Sequence, residues 1–136
     1  MTDPDLIAKK LAQVETYVSE LRKLSTPAKI ENDLREQRFV EHTLQIAIQA
    51  ALDAASHIVS DERLGEPNTN RELFDLLARA GFLDSELATR LQDMVGFRNI
   101  LVHGYDSVDL AIVRDVVENR LDDLLQYVKA IQSKLD

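Results

Sequence analysis

The run from about Glu36 to Val59 constrains the fold more than any other stretch. Leu44, Ile46, Ala47, Ile48, Ala50, Ala51, Leu52, Ala54, Ala55, Ile58 and Val59 leave little of a helix surface polar. A helix that is apolar nearly all round is stable only when neighbours surround it or when part of it forms a subunit interface. The rest of the chain has to supply amphipathic elements that wrap it. Ile7, Leu11, Val14, Val18 and Leu21 step by four, three, four and three residues. They form a narrow seam on a first helix over about residues 4–24, with Asp3 as its cap and Pro4 at its first position. Leu110, Val113, Val117, Leu121, Leu124, Val128, Ile131 and Leu135 keep the same rhythm. They predict one long final helix, capped by Asp106 or Ser107, that packs on the first helix or on a partner.

The connecting segments carry local stop and start signals. Thr26-Pro27 restarts the chain after the first helix, and a short helical piece is expected to about Leu34. Asp61 to Asn68 contains Gly65 and Pro67 and reads as a loop. Thr69 with Glu72 three residues on is a capping box, opening a short helix that Gly81 stops. Asp84 or Ser85 caps a fourth helix, whose buried stripe runs through Leu87, Leu91, Met94 or Val95, and Leu101 or Val102. No strand pattern, repeat or linker interrupts the series. The expectation is an all-α chain, a single domain over residues 1–136, built as an up-and-down bundle of four to five helices.

Composition excludes several kinds of chemistry. The chain has no cysteine, so neither a disulfide framework nor a thiolate nucleophile is available. The three histidines, His42, His57 and His103, lack close metal-ligand spacing, and no metal or cofactor is expected. The polar N-terminus and the absence of a membrane-length apolar run predict a cytoplasmic protein. A net charge of −8 argues against nucleic-acid binding by bulk attraction, so an RNA ligand requires a local basic pocket on an acidic body.

Two polar features remain. On the apolar second helix a thin line runs through His42, Gln45 or Gln49, Asp53, and Ser56 or His57. It serves either as a hydrogen-bond network or solvent strip, or as a support in which Asp53 or a glutamine orients a site elsewhere. The second feature is the stretch Phe97 to Asp106. Arg98 falls on the buried stripe of the fourth helix, where a guanidinium needs a carboxylate or an anionic ligand. His103 follows five residues later, about 500° around a regular helix and so roughly 140° from Arg98. If the helix tightens or unwinds before Gly104, the two side chains converge on one site. Together they suit phosphodiester chemistry, because arginine presents a planar fork to phosphate and histidine moves protons near neutral pH. Taken alone, the same spacing also describes an arginine paired to a carboxylate and a histidine packed at a helix end.

Arg98, His103 and Tyr105 form an Arg-x4-His-x-Tyr pattern, and Asn99 stands directly after the arginine. With the Ala-rich stretch Ile46–His57 and the segment Gly81-Phe82-Leu83, this gives the whole chain a resemblance to the HEPN superfamily, in its HepT-like branch. The resemblance implies a metal-independent endoribonuclease toxin of a toxin–antitoxin pair. It also implies a homodimer in which the motifs of two subunits face each other across a cleft. The implied partner is a minimal nucleotidyltransferase antitoxin that neutralises the toxin by attaching AMP to the motif tyrosine. Carried over by residue, Arg98 and His103 are catalytic on RNA, Asn99 is supporting, and Tyr105 is modified. Asp53 joins them as a supporting group from the second helix. The competing expectation is a catalytically inactive helical module that binds a nucleotidyltransferase or a nucleotide.

Overall fold

Asp3 begins the first helix as its residue type predicts: its carboxylate accepts from the backbone N–H groups of Asp5 and Leu6, and Pro4 opens α1, Pro4–Leu24. The computed structural model describes residues 3–103 and 108–135. Among these, six α-helices and no strand are present. They are α1, α2 (Leu34–Asp61), α3 (Asn70–Arg79), α4 (Ser85–His103), α5 (Leu110–Asn119) and α6 (Leu121–Leu135). No helix among the described residues is long and apolar enough to cross a membrane.

α2 is the axis of the bundle. It packs against α1, α3, α4 and α5, which accounts for its apolar circumference. Val40, Leu44, Ala47, Ala54, Ala55 and Ile58 are completely buried, and the alanines let neighbouring helices approach closely. The α1 seam of Ile7, Leu11, Val14, Val18 and Leu21 is buried to the last member. α6 closes the bundle against α1 and α4. From α6, Tyr127 enters the core, where its hydroxyl donates to the Ala51 carbonyl at 2.9 Å and its ring meets Phe74 edge-on at 5.7 Å. Burial pushes the Tyr127 phenol far above its ordinary pKa, so it acts as a permanent donor.

The local start signals operate with small shifts. Thr69 Oγ1 accepts from Glu72 N–H at 3.3 Å, and the Glu72 carboxylate reaches back to Asn68 N–H at 2.7 Å. Asp84, rather than Ser85, caps α4, accepting from Leu87 N–H at 2.7 Å. The chain stops after α3 with Gly81 at φ +86°, a backbone state that suits glycine. After Pro27 the chain makes only a single 3₁₀ turn, Pro27–Lys29, and not a helix to Leu34. The reason is Asp33, which caps α2 through Arg35 and Glu36 N–H and starts it earlier than expected. The buried Glu36 carboxylate ties this corner down by accepting from Thr26 N–H at 2.7 Å.

The final helix departs most from expectation. It breaks at Arg120 into α5 and α6, although Val113, Val117, Leu121, Leu124, Val128 and Ile131 are buried on both sides of the break. The break lets α5 turn to α2 and the 3₁₀ turn while α6 follows α1, where Arg22 and Asp122 pair at 2.7 Å. The cap of α5 is Asp109, accepting from Ala111 N–H at 2.9 Å, in place of Asp106 or Ser107. Those two residues, with Gly104 and Tyr105, lie outside the described residues.

Candidate functional site

α4 and α2 cross so that the buried stripe of α4 meets the polar line of α2. Arg98 turns toward α2 and donates through Nη2 to Gln49 Oε1 at 2.5 Å. Gln49 in turn donates through Nε2 to Asp53 Oδ1 at 2.8 Å. Asp53 Oδ2 lies 3.4 Å from Lys10 Nζ on α1. The amide is oriented by its neighbours, since its oxygen faces a donor and its nitrogen faces an acceptor. The chain Arg98–Gln49–Asp53–Lys10 therefore fixes the guanidinium with a neutral group and places the compensating carboxylate one residue further away.

This settles one choice that the sequence left open. Gln49, and not Gln45, carries the line from Asp53 to Arg98. Asp53 is joined to Arg98 through the Gln49 amide. Lys10 is an addition: it flanks the α1 seam next to Leu11, and only the packing of α1 on α2 brings it to Asp53. No carboxylate pairs with Arg98 among the described residues, and its Nε is buried without a hydrogen-bond partner. A buried donor of that kind is uncommon among native side chains.

His103 is the last residue of α4, and it is exposed. The unwinding that would bring it onto Arg98 within one chain does not occur, because the helix is regular through His103. The two side chains leave α4 in directions about 140° apart. Asn99 is exposed on the same side as His103. Tyr105 lies outside the described residues.

Beside the end of α4 is an open cleft of about 530 Å³, lined by Arg38, Glu41, His42 and Gln45 of α2, Leu101 and Val102 of α4, and Val108. Burial raises the Glu41 carboxyl above its ordinary value, and the nearby Arg38 guanidinium lowers it in part. Arg90, by contrast, is committed to Asp123 at 3.0 Å and to Gln126, and contributes no free charge. Among the described residues no group of three or more His, Asp or Glu could hold a metal ion.

Comparison with known proteins adds to this geometry. The sequence profile of the family described as Ribonuclease HepT-like matches residues 10–131. An mRNA nuclease HepT of Shewanella oneidensis is 32% identical over 131 residues, which cover 96% of this chain and 98% of that protein. A tRNA nuclease HepT of Aphanizomenon flos-aquae is 32% identical over 135 residues, 98% of this chain and 92% of that protein. Among solved structures, the tri-AMPylated HEPN toxin of Shewanella oneidensis in complex with its MNT antitoxin has a TM-score of 0.89 and 32% identity. It covers 96% of this chain and 99% of the solved one.

Proposed function

The chain belongs to the HepT-like ribonucleases, toxins of toxin–antitoxin pairs, and from that premise we propose how its residues divide the work. It cleaves RNA in the cytoplasm as a homodimer, with the Arg98 and His103 side chains of two subunits lining one cleft. The observation that carries this reading is the state of Arg98. It is a half-buried cation, held by a neutral amide, paired to no carboxylate among the described residues, and left with a buried donor to spare. Such a group is prepared for an anion, and a phosphodiester is the anion that a ribonuclease brings to it.

The chemistry needs no metal. The ribose 2′-oxygen attacks phosphorus, the P–O2′ bond forms and the P–O5′ bond breaks, leaving a 2′,3′-cyclic phosphate and a 5′-hydroxyl. One histidine takes the 2′ proton and another delivers a proton to O5′. Arg98 stabilises the charge that develops on the phosphoryl oxygens. Within one subunit the regular end of α4 turns His103 away from Arg98. A second subunit supplies both the missing proton donor and the missing direction of approach. Asn99, exposed between the two, supports the strand as it passes.

The partner is a minimal nucleotidyltransferase, as in the solved toxin–antitoxin complex. It attaches AMP to Tyr105, two residues from His103. The added phosphate occupies the space and satisfies the charge that RNA would otherwise use.

The test is cleavage of a synthetic RNA by the purified protein. Arg98→Ala and His103→Ala each abolish cleavage while the melting temperature changes little. Intact mass, measured on protein expressed beside the nucleotidyltransferase, rises in AMP-sized steps that Tyr105→Phe removes. Loss of stability in both alanine variants would assign them structural roles. A wild-type protein that leaves RNA intact would return the chain to the inactive, partner-binding reading.

A further inference from the structure

α4 carries Gly96 in its interior, where glycine is disfavoured relative to alanine. The space a Cβ would need there is taken by the guanidinium of Arg71: its Nη2 overlaps that position and its Cζ lies 3.4 Å away. Arg71 stands in the first turn of α3, and its backbone carbonyl accepts from Gln92 Nε2 of α4 at 2.9 Å, which ties the turn to this spot. A cation in the first turn of a helix faces the positive end of the helix dipole. Neither a carboxylate nor any other side chain partners this guanidinium among the described residues, and Arg71 is exposed. Stability of the fold explains neither the glycine nor the arginine.

Position on α4 explains both. Gly96 and His103 are seven residues apart, within about 20° of two full turns, so they share one face at a separation of ~10 Å along the axis. Asn99 and Ile100 lie between them, and both are exposed. We infer that Arg71, lying across Gly96, binds a backbone phosphate of the RNA next to the scissile one and so positions the strand along α4 for His103. The inference rests on the ribonuclease reading and adds a substrate contact outside the Arg98–His103 pair. Phosphate contacts of this kind fix register without reading sequence.

The probe is a single-stranded 2′-O-methyl oligoribonucleotide, which cannot be cleaved because its nucleophile is capped. Its affinity for the whole protein is measured over a range of salt. Arg71→Ala reduces the slope of log affinity against log salt by about 0.7, the loss of one single-strand phosphate contact. Arg71→Lys retains most of that slope, and Arg79→Ala, at the far end of α3, leaves it unchanged. On cleavable RNA, Arg71→Ala raises KM and leaves kcat nearly unaltered. Gly96→Ala displaces the guanidinium, so it raises KM while helix stability increases, a combination that misfolding cannot produce. An unchanged slope in Arg71→Ala, with the wild type still binding and cleaving, overturns this assignment alone. A wild type that neither binds nor cleaves overturns it together with the ribonuclease reading.

Discussion

Gln49 decides how Arg98 is presented. An amide holds the guanidinium in place and leaves its full charge available, whereas a carboxylate at the same distance would cancel it. Gln49→Glu changes one atom, nitrogen to oxygen, with almost no change in shape. The new carboxylate pairs with Arg98 and is repelled by Asp53, which lies within hydrogen-bond distance of the present amide nitrogen. We expect the rate of RNA cleavage to fall by at least ~10-fold, on the scale of losing one preorganised charge contact. The melting temperature should remain close to the wild-type value. Single-turnover cleavage and thermal unfolding of the same sample check this, and an unimpaired rate would show that Arg98 does not act through its charge.

Among the helices, α2 depends on its first residues. Asp33 caps its 28 residues at a corner where the chain reverses between α1 and α2. Asp33→Ala should cost about 1 kcal/mol of stability, read as a lower urea midpoint with an unchanged denaturant slope. A changed slope would mean instead that the corner unravels. Caps of this sort were legible in the sequence because they depend on chemistry within three or four residues, as Asp3, Thr69 and Asp84 illustrate. The break at Arg120 was not legible. The buried positions keep their three-and-four rhythm across it, and its cause is the divergence of α5 toward α2 and α6 toward α1. The candidate site divides in the same way. Arg98 and His103 stand out because each is polar where its surroundings are apolar, and the motif gives them roles. The choice between Gln45 and Gln49 depends on how α2 is rotated against α4, which no local pattern states. Lys10 and Arg71 reach their places from other helices, so the sequence around the motif contains no sign of either.

For the molecule as a whole, the buried residues of all six helices join in one continuous core, and α6 returns to lie on α1. Onto this frame the sequence distributes a net charge of −8, while Arg98, paired to no carboxylate among the described residues, stands near the end of α4 and Arg38 lines the cleft there. The consequence concerns encounter rather than affinity. A polyanion approaching from a distance meets a repulsive field, and attraction takes over only within about a Debye length of the arginines, ~10 Å at ordinary ionic strength. Added salt therefore removes the outer barrier before it weakens the inner contacts. In stopped-flow mixing with a fluorescent oligonucleotide, the association rate should rise with salt while dissociation accelerates more steeply. An association rate that falls with salt would mean that long-range steering already favours capture. An outer barrier of this kind slows the first encounter with RNA, so the choice of target is set by how long a strand stays and not by how often it arrives.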